Sequence, residues 1–323
     1  MMSRRDLLIG PLAAGLSALA RGADAQGGPS QPSTPVNFQM PGGACDCHLH
    51  IFGDPTRYPL SPARTYTPEP ASIEQSRALH RALRVDRVVL VQPSIYGTDN
   101  TCMLDALRQM GARARGVAVI DDQTPDTGID AMHRAGVRGI RINLGTVGVT
   151  DPAIAQQRFA GAVRRVKDRR WHIQMYTQLS VIEAIAADLA ASPVPIVFDH
   201  FGQAQGEKGV TQPGFSPLLN LVHSGKAYVK VSAPYVCSTK SPDYPDMAPL
   251  ARALITANPR RVLWGTNWPH ANSAPPPGGT ATDVTPLKRI DDGRILNQFA
   301  LWAPDARLRK TILVDNPAEL YGF

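Results

Sequence analysis

The sequence predicts an α/β protein: a single-domain (β/α)8 TIM barrel standing behind an export signal peptide. Three features lead there. From residue 44 onward, short β-branched runs alternate eight times with longer amphipathic stretches, the pattern of eight βα units. The runs are apolar on both faces, as in VVLVQ at 88–92 and IVFD at 196–199, which suits parallel strands buried between an inner core and a layer of helices. Polar residues collect at the C-terminal ends of these runs, the end of a barrel that carries chemistry.

The chain starts with Met2-Ser3-Arg4-Arg5-Asp6-Leu7-Leu8, a twin-arginine pattern, followed by an apolar stretch over 7–20 and an A-x-A site at Ala23-Asp24-Ala25. Residues 1–25 therefore read as a twin-arginine signal peptide, with the twin-arginine export machinery as partner and the periplasm as destination. The apolar stretch is too short to span a bilayer, so no stable membrane anchor is expected. Residues 26–41, QGGPSQPSTPVNFQMP, lack periodicity and predict a flexible linker. The barrel domain then occupies 42–323.

Composition narrows the function. The chain is 43% hydrophobic and 19% charged, with a net charge of +7. The signal region supplies +1 of this, from Arg4, Arg5 and Arg21 against Asp6 and Asp24. No Lys/Arg run interleaved with aromatics is present, which argues against nucleic acid as a partner. No GxGxxG or phosphate-binding loop occurs, so a nucleotide-binding open sheet lacks its signature. A cationic barrel suits a small anionic molecule.

The predicted strands cover 44–50, 87–92, 114–120, 137–143, 171–176, 195–200, 227–232 and 261–266. Helices are predicted near 72–83, 101–112, 126–135, 152–169, 180–191, 214–224, 246–257 and 287–302. The first strand ends in ACDCHLH. With a side-chain period of two, His48 and His50 share a face, able to grip a metal or polarise an oxygen from two sides. Cys45 and Cys47 fall on the opposite face as buried thiols. The later strand ends bring Gln92-Pro93-Ser94, Arg141 and Asn143, Tyr176 and Gln178, Asp199-His200, Ser232, and Thr266-Asn267-Trp268 to the same mouth. Asp121-Asp122 either reach that mouth or cap the next helix. His80, His133 and His223 are expected outside the barrel and His172 at its structural end. His270 lies in the last mouth loop.

Three segments carry a resemblance: His48-Leu49-His50, Asp199-His200, and GTNWPH at 265–270. They resemble the amidohydrolase-related (family 2) branch of the amidohydrolase superfamily, and within it the 2-pyrone-4,6-dicarboxylate lactonase group. The likeness runs from 44 to 321 through VQPSIYGTDN, ARGVAVIDD, GVRGIRINL, PVPIVFDHFG, RVLWGTNWPH and NPAELYGF. It implies that His48, His50 and His200 polarise a lactone carbonyl, and that Tyr66, Ser94, Arg141 and Tyr176 contact substrate. It also implies that Asn267 stands where the group has a water-activating aspartate, and that Val147 and Val236 replace two carboxylate-clamping arginines.

The departures alter the expected chemistry. Asn267 carries no carboxylate and cannot take a proton from water. Loss of two guanidinium forks disfavours a dicarboxylate. Arg141/Asn143 and Tyr176/Gln178 stand where two-metal relatives place a lysine and a histidine, so no binuclear site is expected. No cofactor is required by the resemblance; a single divalent metal such as zinc on His48, His50 and His200 is the alternative. The expected function is an exported hydrolase of a lactone or similar cyclic ester of a small organic acid. Asp199, His200 and His270 are candidate bases, with Asn267 orienting the water. A metal-dependent decarboxylase of the same family and a catalytically degenerate binding protein are the competing readings.

Overall fold

The β-branched runs form strands because each buries both of its faces. In a computed structural model describing residues 27–323, the strands are β1 (Cys45–Leu49), β2 (Arg87–Val91), β3 (Ala114–Ala118), β4 (Val137–Asn143), β5 (His172–Tyr176), β6 (Ile196–Phe198), β7 (Ala227–Ser232) and β8 (Val262–Gly265). All neighbours pair in parallel and in sequence order. The sheet closes just beyond β8, where Asn267 N donates to His48 O at 2.7 Å and His50 N donates to Trp268 O at 2.9 Å. The result is the nearly closed eight-stranded barrel that the pattern predicts. The signal peptide assigned to residues 1–25 lies outside the described residues.

Helices α1 (Ile73–Leu83), α2 (Thr101–Met110), α3 (Asp126–Arg134) and α4 (Pro152–Val166) return the chain after the first four strands. Local chemistry sets their starts. Ser72 and Gln75 form a reciprocal capping box on α1, and Asp151 caps α4 ahead of Pro152. The helix predicted over 180–191 is two pieces, α5 (Leu179–Ala184) and α6 (Ala186–Ala190). Then follow α7 (Phe215–His223), a short α8 (Pro234–Cys237), α9 (Met247–Ala257) and α10 (Asp292–Trp302). The unpredicted α8 starts two residues after β7 and so sits at the mouth. Residues 27–41 have no helix or strand, yet they are strapped to the barrel. Asp291 accepts from Ser33 Oγ and Thr34 Oγ1, and Ser30 O accepts from Trp268 Nε1.

Val89, Val91, Val117, Val197 and Leu263 form the barrel's inner core, together with Cys45, Cys47, Tyr228 and Tyr321. Cys45 and Cys47 thus point inward, on the histidines' side and not away from it. The reason is a β-bulge. Asp46 pairs with Val88 and Leu49 with Leu90, so Cys47 and His48 together oppose Val89. A strict period of two fails there, and both side chains turn into the barrel. All four cysteines are free and buried, which for Cys45 and Cys47 is the expected state. Gly265 permits the bulge, since a Cβ there would sit 2.7 Å from His48 N and 2.8 Å from His48 Cβ. His172 keeps its structural place at the closed end, its ring edge-on to Tyr321 at 5.2 Å.

Candidate active site

The bulge delivers His48, and the next inward position delivers His50. Their Nε2 atoms are 3.3 Å apart. His50 Nδ1 lies 2.7 Å from Val91 O. A carbonyl only accepts, so Nδ1 carries the proton and His50 Nε2 offers a lone pair. His48 Nε2 therefore donates to it, which leaves a lone pair on His48 Nδ1. That lone pair meets Lys230 Nζ at 3.2 Å, and the ammonium also donates to Gln174 Oε1 at 2.6 Å. One chain of donors, inferred from the fixed carbonyl end, runs Lys230 to His48 to His50 to Val91.

Asp199, at the end of β6, is the buried anion of this centre. Its Oδ2 accepts from Arg141 Nε and Nη2, both at 3.2 Å. Its Oδ1 lies 3.2 Å from His48 Nδ1 and 3.4 Å from Lys230 Nζ. Burial alone would raise this carboxyl, but His48, Lys230 and Arg141 hold it well below the usual carboxylate range. Burial depresses all three histidines: His48 well below its ordinary value, with Lys230 adding to the effect, His50 to about 4 and His200 to about 3. They are neutral at neutral pH. With Asp199 ionised and Arg141 and Lys230 protonated, the centre carries one net positive charge, and an oxyanion forming there would be stabilised.

His200 Nδ1 lies 2.8 Å from Ser232 Oγ, and its ring centroid is 4.6 Å from that of His48. Tyr176 stands edge-on to His200 at 5.6 Å, with the Arg141 guanidinium 5.4 Å above its ring. Its pKa is raised to about 12, chiefly by burial, so the phenol is neutral. Tyr66 is buried and sits beside Ser94 and Arg141, whose influence opposes the rise that burial imposes on its hydroxyl. The positions expected to contact substrate are thus together. A cavity of about 560 Å³ meets them at Ser94 and Arg141 and runs past Asn143 and Val147. The histidines are not part of its lining and are 0–8% exposed. Asp121 accepts from Gln123 N and Thr124 Oγ1 in the turn before α3 while lining the same cavity.

The donor set also fits a cation. Each histidine has one ring nitrogen held from behind, by Val91 O, by Ser232 Oγ, or by the Asp199–Lys230 pair, the support that metal-bound imidazoles have. If His48 took the other tautomer, its Nδ1 would donate to Asp199 and two Nε2 lone pairs would face each other. Their spacing matches the ~3.3 Å between two nitrogens on a tetrahedral zinc with bonds of about 2.0 Å. One ligand atom each from His48, Asp199 and His200 also falls within 4.8 Å of the others. Asp199 adds an acidic donor to the three-histidine set expected from the sequence.

A second polar chain adjoins the first. Asn267 Nδ2 donates to Tyr235 OH at 2.9 Å, Tyr235 OH meets His270 Nδ1 at 2.9 Å, and His270 Nε2 meets Asp292 Oδ2 at 2.8 Å. His270 and Asp292 are 0% and 1% exposed. The surrounding backbone is strained. His200, Phe201, Ala233, Asn267 and His270 have φ of 46–66°, a left-handed conformation costly for residues other than glycine and tolerated where function over-determines it. Sequence reasoning missed Lys230, Tyr235 and Asp292. Only Lys230 carried a signal, a lysine inside the apolar strand AYVKVS.

The chain is 33% identical over 299 residues to 4-sulfomuconolactone hydrolase of Hydrogenophaga intermedia, covering 91% of this chain and 94% of that one. It is 35% identical over 303 residues to the 2-pyrone-4,6-dicarboxylate hydrolase of Comamonas testosteroni, covering 90% and 94%. An apo structure from Agrobacterium tumefaciens superposes with a TM-score of 0.76 at 28% identity, over 90% and 99% of the two chains. The amidohydrolase family model matches residues 45–323, from the first residue of β1 through the last residue of the chain, and this protein belongs to the amidohydrolase family.

Proposed function

We propose that this chain is a hydrolase that adds water to the carbonyl of a lactone or similar cyclic ester of a small organic acid. The observation that carries the reading is the buried cluster of His48, His50 and His200 with Arg141, Lys230 and Asp199 at the barrel mouth. Arg141 and the histidine edges would face the carbonyl oxygen and stabilise the charge it gains on attack. Tyr66, Ser94 and Tyr176 would hold the ring and its acid group. Asn267, at the neck of the barrel, would orient the water through Oδ1, since its Nδ2 is committed to Tyr235. The lactone-hydrolysing relatives support the substrate class. A divalent cation such as zinc, held by His48, His50 and His200 with Asp199 beside them, would supply Lewis-acid polarisation and a more acidic water.

The test is a pH-stat assay of purified protein on δ-valerolactone, dihydrocoumarin and lactones bearing one carboxylate, with metal content measured in parallel. Ring opening is expected, with His50→Ala and His200→Ala losing at least 10²-fold in kcat while remaining folded. Carbon dioxide release from carboxylated probes would instead favour the decarboxylase reading. Tight binding without turnover would favour a degenerate receptor. We propose further that the twin-arginine machinery delivers the protein to the periplasm, on the strength of Arg4-Arg5 and the A-x-A site. Replacing both arginines by lysine should hold precursor in the cytoplasm, and unchanged export sinks that proposal.

A further inference from the structure

We propose that Tyr235, backed by His270 and Asp292, is the group that moves the proton in this reaction, in place of a carboxylate at position 267. The inference rests on the proposed hydrolysis and concerns the one step that reading leaves without an acceptor. The four residues come from three separate places: α8, the loop after β8, and the first turn of α10. Their hydrogen bonds fix the protons. Burial raises the Asp292 carboxyl, and the contact with His270 opposes that rise; in its ionised form Asp292 only accepts, so His270 Nε2 carries a hydrogen and His270 Nδ1 has a lone pair. Tyr235 must then donate its O–H to that lone pair at 2.9 Å. Its oxygen accepts from Asn267 Nδ2 and keeps a second lone pair. Tyr235 is half-buried in α8, which starts two residues beyond the end of β7, and for the relay to operate this second lone pair faces the reacting water.

That arrangement has the logic of a nucleophile–histidine–carboxylate triad, with water as nucleophile and a phenol as go-between. As water attacks, a C–O bond forms and a water O–H breaks, its proton passing to Tyr235 O. The phenol hydrogen passes at the same time to His270 Nδ1. The imidazolium is paired with Asp292, which lies at the N-terminal end of α10, where a helix favours negative charge. When the ring C–O bond breaks, the proton returns along the same path to the leaving oxygen. Atoms and charges balance, and Tyr235 is never left as a free phenolate. The titratable groups packed around this chain are Asp291 and Asp292 of α10, Tyr244, Tyr176 and Asp46.

The experiment has a spectroscopic arm and a kinetic arm. In 15N-histidine NMR of the full protein, the His270 signals, assigned by their loss in His270→Gln, should show the Nε2–H tautomer. A resting Nδ1–H tautomer overturns the proposal, because Tyr235 then has no lone pair to donate to. In the kinetic arm, Tyr235→Phe should lower kcat on δ-valerolactone by about 10²–10⁴-fold with KM little changed. The loss should be smaller on dihydrocoumarin, whose phenolic leaving oxygen needs no proton to depart. Tyr235→Phe combined with His270→Gln should lose no more than either single variant, since both break the same relay, whereas losses from two independent structural residues would add. Wild-type turnover matched by Tyr235→Phe refutes the relay alone. Absence of turnover of either lactone by wild-type protein refutes the hydrolase reading and this role with it.

Discussion

Replacing Lys230 by methionine isolates what the buried ammonium does. Methionine has nearly the same reach and leaves no cavity. Three contacts go: Gln174 Oε1 at 2.6 Å, His48 Nδ1 at 3.2 Å and Asp199 Oδ1 at 3.4 Å. Breaking a buried ion pair costs about 3–5 kcal/mol when it strands a charge. Asp199 is not stranded, because Arg141 still gives it two N–H groups. Burial already works against the ammonium, which pushes the Lys230 pKa down, and that cost disappears with it. The residual penalty is the orphaned Gln174 oxygen, about 1–3 kcal/mol, so unfolding in urea at pH 7 should show a loss of that size. Function should suffer more than stability. The centre falls from one net positive charge to none, and removal of one stabilising group of this kind costs about 10²–10³ in kcat. Because Lys230 lowers the His48 pKa, its removal should also move the acid limb of the pH–rate profile upward. A variant with wild-type kcat and an unmoved limb would refute the charge assignment of the centre. A loss above about 5 kcal/mol would show that Arg141 does not hold Asp199 unaided.

Gly265→Ala should cost about 1–3 kcal/mol by overpacking and lower activity, since its new methyl meets the His48 backbone and not a side chain that can swing away; wild-type melting would refute the close approach. Acid should unfold the protein steeply. His50, His172 and His200 titrate at about 4, 3 and 3 in the folded chain, against about 6.5 unfolded. Between those limits the unfolded state binds more protons, so stability falls as pH drops from about 6.5 toward 4, by up to about 1.4 kcal/mol per histidine per pH unit. Urea unfolding at pH 7 and pH 5 measures it, and equal midpoints would contradict neutral buried imidazoles. Asn267→Asp should draw the Tyr235 O–H to the new carboxylate and make His270 dispensable: His270→Gln, damaging alone, should become nearly silent in that background. Additive losses in the double variant would show that no such exchange occurs.

The barrel was legible because its signal is repeated. Eight strands that must bury both faces leave little freedom for another arrangement, and their polar ends must meet at one mouth. His48, His50, Arg141, Asp199 and His200 were all found that way. The bulge in β1 was not legible, because it depends on pairing with β2, and a strand's own alternation places Cys47 on the wrong side. Lys230 was visible as a charge where an apolar residue belongs. Tyr235 was hidden in PYVC, a four-residue stretch too short and too apolar to announce a helix, and Asp292 lay inside the helix predicted over 287–302 with nothing in the sequence to mark it. Both acquire meaning only through hydrogen bonds to residues 22 to 35 positions away. The segment before residue 42 has a linker's composition, but Ser30, Ser33 and Thr34 match acceptors and donors that only the folded mouth presents.

Charge connects these features to substrate choice. Asp199 uses both donors that Arg141 directs toward it, so the guanidinium has part of its fork left for an incoming acid group, not the whole of it. Val147, half exposed on the cavity wall, offers an anion nothing. A molecule with two carboxylates would find its further cations on α4, at Arg158, Arg164 and Arg165 along the cavity wall. One with a single acid group can place it near Arg141 and Ser94 and turn its ring toward the histidines. The same single positive charge then meets the oxyanion as it forms. The missing arginines and the absent carboxylate at position 267 are consistent with each other: a less anionic substrate needs fewer cations to bind, and a phenol-mediated relay adds no negative charge beside the reacting carbonyl. On the proposed reading, such a mouth suits a substrate of lower charge, with its proton acceptor one residue further from the carbonyl.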